Sequence, residues 1–207
     1  MCPKVSQEHL QKRRAKIIKA AVQVFIKHGY ERATMKHVME EAEVSRGGLY
    51  QYFSNKEDLY ETILKEALAK GVSKNKELLE GSVDSYWELL LLSMHGKAKE
   101  PSDEVDEFVP SNLEFFITGR NDERRRKYGR DRYYNVFEIY DSVIKAGQNS
   151  GEFSNKYNSE IIARSIVAFN DGLALHSILP KEDIKKKEQS IMFIEYLKMA
   201  LGVDKPK

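Results

Sequence analysis

The residues best equipped for chemistry lie in one short stretch, Ser45-Arg46-Gly47-Gly48-Leu49-Tyr50-Gln51-Tyr52-Phe53, with Lys56 just beyond it. It offers a guanidinium, two phenols, a hydroxyl and an ammonium, all hydrogen-bond donors suited to phosphate oxygens and base edges. Arg46, near the start of a short helix, has the planar fork that bridges N7 and O6 of guanine in a major groove; a phosphate contact is the other reading. Tyr50 and Tyr52 present hydroxyls on stiff, flat side chains, whereas Leu49 and Phe53 read as core. Gly47 and Gly48 each cost a helix about 1 kcal/mol relative to alanine. Their functional reading is that absent side chains let the backbone approach groove floor and phosphates; a loose turn is the alternative. Thr34 starts another helix, where its hydroxyl and the free N–H groups can hold a phosphate oxygen as well as cap the helix. Lys36 and Ser45 join the candidate DNA contacts. Lys56 heads a helix whose dipole its charge opposes, an arrangement favoured by an intervening phosphate, with a solvated lysine as the alternative. Lys12, Arg13 and Arg14 either reach flanking backbone or minor groove, or are solvated.

Catalytic chemistries find little support. None of His9, His28, His37, His95 and His176 has a glutamate three residues before it, so the Glu-x-x-His pairs of a helical di-metal site are missing. There is no Gly-rich phosphate loop, nucleophile elbow or His-Glu-x-x-His, and no metal, cofactor or enzymatic activity is expected. His28 and His176 read as hydrogen-bonded core histidines on apolar faces. Cys2 is the only cysteine, which excludes an intramolecular disulfide framework or a cysteine-based zinc site. With 41% hydrophobic residues the chain of 207 can bury a core. Its longest aliphatic run, Leu89–Leu92, is far short of a membrane span, and nothing resembles a signal peptide. A soluble, cytoplasmic, helical protein is expected.

Charge is unevenly placed. Residues 1–72 carry thirteen Lys or Arg against nine Asp or Glu, while the remaining 135 carry 21 against 23. A basic N-terminal module on a mildly acidic body fits a nucleic-acid reader with a separate sensing or assembly domain; scatter over a solvated surface is the alternative.

The elements that must position these donors read as helices throughout. Ile17, Ala21, Val24, Phe25 and His28 form one stripe of a helix from about Gln7 to a stop at Gly29. A short helix over Thr34–Ala42, a turn at Glu43-Val44-Ser45 and a second short helix over Arg46–Phe53 make a helix-turn-helix. Ser54 and Glu57 are expected to form the capping box of a fourth helix running to about Glu80, with Gly71 as a soft point. Further helices are predicted over Val83–His95, from Pro110 to Thr118, and over Asp122–Ser150, Ser159–Leu179 and Asp183–Leu201, with a mobile connector at Gly96–Asp103. The expected fold is all-α with about nine helices.

The spacing carries a resemblance. Ile17-Ile18-x-Ala20-Ala21, Phe25-x-x-x-Gly29-Tyr30, Ala33-Thr34, Ala42-x-Val44-Ser45-x-Gly47-x-Leu49-Tyr50-x-Tyr52-Phe53 and Ser54-x-Lys56-Glu57-x-Leu59 together resemble the N-terminal module of the tetracycline-repressor (TetR) family of bacterial transcription regulators. Ile144–Gln148, Gly151–Phe153 and Asp171–Leu175 look like stretches of one large subgroup. Arg46 stands where members vary freely, so no base preference carries over. The resemblance implies a DNA-binding domain over 1–56, a helical regulatory and dimerisation domain over 57–207, and phosphate contacts from Tyr50 and Tyr52. It implies a homodimer on a palindromic operator that responds to a small-molecule effector, most often as a repressor, otherwise as an activator. The competing class is a helical binding or structural protein that uses its helix-turn-helix for protein contacts.

Two expectations concern the body. Ile162, Ile166, Phe169 and Leu173, with Ile191, Ile194, Tyr196, Leu197 and Leu201, are expected to form an isologous four-helix interface; closing the subunit's own core is the alternative. Trp87, Phe115, Phe116, Phe137, Tyr140 and Phe169, with Asn170 as a polar group, are candidates for an apolar effector pocket, and simple core is again the alternative.

Overall fold

The structure, a computed structural model, describes residues 7–96, 99–104 and 106–203. Cys2 and residues 97 and 98 of the predicted connector lie outside the described residues. Among those described there are nine α-helices and no strand: α1 Gln7–Arg32, α2 Met35–Ala42, α3 Arg46–Tyr50, α4 Lys56–Glu80, α5 Tyr86–His95, α6 Val109–Thr118, α7 Glu123–Ser150, α8 Ser159–His176 and α9 Lys186–Leu201. No helix among the described residues is long and apolar enough to cross a membrane. The helices form two compact units. One holds the described residues up to Ala67 and returns for Glu107–Asn121; the other holds Leu68–Asp106 and the described residues from Asp122. Thus α4 contributes to both units, and α6 belongs with α1–α3.

In the first unit the predicted stripe of α1 is buried at Ile17, Ala21, Val24 and Phe25. The helix breaks at Gly29, whose φ of 71° disfavours any L side chain. A Cβ there would also lie 2.6 Å from both carboxylate oxygens of Glu114 on α6. The last turn that follows drives Tyr30 into an aromatic cluster, 4.8 Å from Tyr60 and 4.9 Å from Phe115 between ring centroids. The Tyr60 hydroxyl is hydrogen-bonded to Ser111 Oγ (3.0 Å) and Asn112 Oδ1 (2.9 Å), which fixes the start of α6 beside Pro110. Leu49, Phe53, Leu59 and Val38 complete the core beneath the helix-turn-helix.

Two local expectations of this unit change. The second short helix is α3, only five residues, followed by a hydrogen-bonded turn in which Gln51 N–H donates to Gly47 O (3.1 Å) and Phe53 N–H to Leu49 O (3.2 Å). Two glycines weaken it as a helix, and the cap of α4 takes over directly afterwards. That cap lies one residue later than predicted: Asn55 Oδ1 accepts from Asp58 N–H (2.8 Å), and Asp58 Oδ2 accepts from Ser54 N–H (2.9 Å). Asn55 thus caps the helix in place of Ser54, while the Asp58 carboxylate reaches past the cap to the amide and hydroxyl of Ser54.

In the second unit α7 packs against α5 and α8, around a core in which Leu90, Val143, Ile144, Ile166 and Leu201 are fully buried. α5 begins at Tyr86, later than the expected Val83, because Ser85 is its cap and a distant carboxylate reinforces it. Glu152 accepts from Ser85 Oγ (2.8 Å), Tyr86 N–H (2.8 Å) and Trp87 N–H (2.9 Å). α7 starts as predicted, with Asp122 Oδ1 accepting from Arg125 N–H (2.8 Å). α8 stops at His176, three residues before the expected Leu179: Ser177, Ile178 and Leu179 each donate to the carbonyl three residues back, a tighter turn, and Pro180 keeps Leu179 out of helical geometry. A 3₁₀ turn occupies Lys181–Asp183, and α9 begins at Lys186, not Asp183. There Asp103 Oδ1 accepts from Lys187 N–H at 2.9 Å.

Candidate nucleic-acid interface

Burial of Leu49 and Phe53 fixes how α3 is rolled. Its opposite face carries Arg46, Gly47 and Tyr50, all exposed, with the Arg46 guanidinium 5.5 Å from the Tyr50 ring centroid. Thr34 and Ser45 are exposed caps: Thr34 Oγ1 accepts from His37 N–H and Ser45 Oγ from Gly48 N–H, both at 3.2 Å. Lys36 is exposed on α2 and lies 3.7 Å from Glu40. The structure therefore brings Thr34, Lys36, Ser45, Arg46, Gly47 and Tyr50 onto the solvent-facing side of one helix-turn-helix.

Three predicted contacts sit differently. Lys56 donates to Tyr30 O (2.7 Å) and Glu31 O (3.1 Å), and its ammonium lies 4.4 Å from the Tyr30 ring centroid. A cation that opposes the dipole of α4 is thereby held by carbonyls at the C-terminal end of α1, where positive charge is favoured. Tyr52 is half-buried and its hydroxyl has no hydrogen-bond partner among the described residues. Gly48 is buried, and the space beside it is filled by the guanidinium of Arg13. Of the other N-terminal cations, Lys12 pairs with Glu8 (2.6 Å), while Arg14 pairs with Glu66 (2.6 Å) and lies over the Phe53 ring. The meeting of Arg13 with Gly48 had no signal in the local sequence, because the two lie far apart along the chain and meet only in the folded unit.

His28 is half-buried and stacked on His37, ring centroids 4.5 Å apart, rather than hydrogen-bonded in the core. Among the described residues no group of three or more His, Cys, Asp or Glu is arranged to hold a metal ion.

The candidate effector residues do not come together as one set. Phe115 is fully buried in the first unit's aromatic cluster, with Phe116 at 5.4 Å from it. Phe137 and Tyr140 are buried in the second unit, with Trp87 half-buried against the same core. Asn170 Nδ2 donates to the Tyr140 hydroxyl at 3.2 Å, and burial raises that phenol's pKa above its usual value. Phe169 instead stacks on Phe193 at 4.0 Å, in a groove of about 560 Å³ between α8 and α9.

The residues expected at a subunit interface also divide. Ile162, Ile166, Leu197 and Leu201 are buried in the chain's own core, Leu173 and Ile194 are half-buried, and Ile191 is exposed. Tyr196, also expected there, is exposed as well, and beside it and Ile191 these helices expose large apolar side chains that were not expected at the interface: Ile161, Leu175 and Ile178 from α8 and its end, and Met192 and Met199 from α9. The signal was present as a second stripe, shifted around each helix from the one that closes the core.

Fold and surface together define a helix-turn-helix DNA-binding protein with a helical body. Residues 17–63 match the family described as "Bacterial regulatory proteins, tetR family", and residues 93–195 match "Tetracyclin repressor-like, C-terminal domain". The HTH-type transcriptional regulator YfiR of Bacillus subtilis is 33% identical over 207 residues, covering 99% of each chain. The HTH-type transcriptional repressor AcnR of Corynebacterium diphtheriae is 38% identical over 68 residues, 33% of this chain and 36% of its own. The structure of Bacillus subtilis FadR in complex with stearoyl-CoA superposes with a TM-score of 0.69 at 20% identity, over 88% of this chain and 96% of that one. The chain belongs to the TetR family of bacterial transcription regulators, a family of regulators and not of enzymes, and it is a DNA-binding regulator of transcription.

Proposed function

We propose that this regulator is a homodimeric repressor that a small apolar effector releases from a palindromic operator, working in the cytoplasm and catalysing no reaction of its own. The observation that carries the DNA reading is the outward face of α3, where Arg46, Gly47 and Tyr50 stand exposed above buried Leu49 and Phe53. In this reading Arg46 reads a base edge, while Thr34, Lys36, Ser45, Tyr50, Tyr52 and Lys56 hold backbone phosphates, the last two after a change of partner. DNA binding is assigned to residues 1–56, and effector binding and dimerisation to 57–207.

Dimerisation is assigned to the exposed face of α8 and α9. Ile161 and Leu175 lie on one side of α8 with Ser165, Ala168 and Gly172 between them, a row whose small residues admit close approach of a second helix. Met192, Tyr196 and Met199 recur at i, i+4 and i+7 on α9. A two-fold pairing of this face would set two recognition helices about 34–36 Å apart, one turn of DNA.

Effector binding is assigned to the second unit around the Tyr140–Asn170 pair, with Trp87 and Phe137 nearby. FadR, which shares the fold, was solved with stearoyl-CoA, and AcnR is named a repressor; both support the reading. Moving the regulator from mostly bound to mostly released needs about a 10⁴-fold difference in effector affinity between the two states, about 5.5 kcal/mol. Two connections suit a lever: α4, which contributes to both units, and α6. Glu114 on α6 accepts from Glu31 N–H (3.1 Å) just past the break in α1.

The experiment selects duplex sites from random sequence with the wild-type protein. It then follows Trp87 fluorescence and release of the selected duplex while apolar compounds are added. A strong preference for the selected site over a scrambled duplex, with Trp87 quenching and release in parallel, is expected. Equal affinity for both duplexes overturns the DNA reading; compounds that quench Trp87 yet leave DNA affinity unchanged overturn the effector reading.

A further inference from the structure

The two glycines of α3 do different work. Nothing lies within 4 Å of where a Cβ on Gly47 would stand. A Cβ on Gly48 would clash with Nη2 of Arg13, and would lie 3.2 Å from its Cζ and 3.3 Å from Ser45 Oγ. Gly48 is accordingly buried although Arg46, Gly47 and Tyr50 around it are exposed. Its missing side chain is a seat, and the guanidinium seated there comes from α1.

The seated charge is unmatched by any acidic group among the described residues. Lys12, Arg14 and Lys16, its neighbours on α1, lie 2.6 Å from Glu8, 2.6 Å from Glu66 and 3.2 Å from Glu43. Arg13 has no acidic partner among the described residues, and it is half-buried. A guanidinium keeps its charge at any working pH and carries five donors in a rigid fork that matches a phosphate. Packing against Gly48 removes part of the side-chain freedom that a free arginine would lose on binding.

We propose that Arg13 is a DNA-contacting residue that α1 supplies to the recognition surface in place of the side chain missing at position 48, with its guanidinium taking an operator backbone phosphate. This rests on the DNA-binding reading above and adds to it a particular residue and a reason for the second glycine. Gly48→Ala is the discriminating substitution. A methyl group at 48 displaces only the free end of a flexible side chain, so the fold survives while Arg13 loses its seat.

The test measures binding of full-length wild type, Arg13→Ala, Gly48→Ala and the double variant to a duplex selected by the wild type and to a scrambled duplex. Fluorescence anisotropy is read over a series of potassium chloride concentrations, alongside thermal melting. Each single variant is expected to bind the selected duplex about tenfold more weakly and to flatten the log–log salt dependence by about 0.9 per bound protomer, one phosphate contact each. The double variant is expected to be no weaker than Arg13→Ala, because Gly48 acts through Arg13. Wild-type affinity and salt slope in Arg13→Ala overturn the proposal, as does a lowered melting temperature with an unchanged slope, which makes Arg13 a brace within the fold. Wild-type binding by Gly48→Ala overturns the role of the seat. A wild type that binds both duplexes equally is a different failure, that of the DNA-binding reading itself.

Discussion

Arg46 and Lys56, two cations of the same short helical module, sit in different surroundings. Arg46 is exposed, with its guanidinium 5.5 Å from the Tyr50 ring centroid. Arg46→Ala is expected to cost about 1–3 kcal/mol of binding to a selected site while leaving scrambled-duplex affinity nearly unchanged, read by competition anisotropy. An equal loss on both duplexes makes it a phosphate contact. Lys56, by contrast, donates to two carbonyls of α1, contacts that the sequence did not show. His95 supplies a second prediction. Its Nε2 is buried without a partner among the described residues, and burial first, then the Lys186 charge, holds its pKa below 6.5. The unfolded chain therefore binds a proton on this residue at a pH where the folded chain does not. Stability is undiminished above about pH 7 and declines as pH falls through 6.5 towards the lowered folded value. Urea unfolding of His95→Gln is expected to show a flatter decline over that window than the wild type; parallel declines would assign the acid sensitivity elsewhere.

At the scale of elements, caps decide where the helices begin and end, and caps were the least legible feature. The stripes of α1, α4 and α7 were readable because apolar residues recur at a period that local steric preference enforces. The starts of α4 and α5 were misplaced by one and three residues, because each depends on which side chain reaches which amide. For α5 the deciding group is Glu152, more than sixty residues away along the chain. Glu152→Ala removes an acceptor shared by two backbone N–H groups and the Ser85 hydroxyl, and is expected to cost about 2 kcal/mol. Urea unfolding followed by Trp87 fluorescence would measure it, with Glu152→Gln retaining part of the loss; an unchanged midpoint would mean that Ser85 alone holds the start of α5. The same dependence on distant partners hid the seat of Arg13 on Gly48. The stop at Gly29 is legible in the sequence, but the approach of Glu114 that coincides with its positive φ is not. A glycine in sequence marks a place where a side chain is excluded, but not which neighbour excludes it.

For the whole molecule, the decisive quantity is how apolar surface is divided between a chain's own core and a second copy. α8 and α9 each carry two stripes, and the sequence alone does not say which one turns inward. Burial does: Ile166 and Leu201 are fully enclosed, whereas Leu175 is 48% and Met199 68% exposed. Substitution of the outer pair by glutamate should therefore leave the subunit's fold intact, since exposed positions free of special contacts usually shift stability by about 0.5 kcal/mol or less. It should, however, place two buried charges on each side of an isologous interface, because every substitution appears twice across a two-fold axis. Leu175→Glu/Met199→Glu is expected to sediment as a monomer at micromolar concentration with wild-type helicity. Its affinity for a palindromic duplex should fall by about 10²–10⁴, since the second half-site is no longer delivered by a tethered partner. Affinity for a duplex carrying one half-site should be unchanged. Ile166→Ala is the matching control: removal of an enclosed side chain should cost about 2–5 kcal/mol of subunit stability while leaving the outer face unaltered. A double variant that remains a dimer and holds the palindrome as tightly as the wild type would show that α8 and α9 do not form the interface.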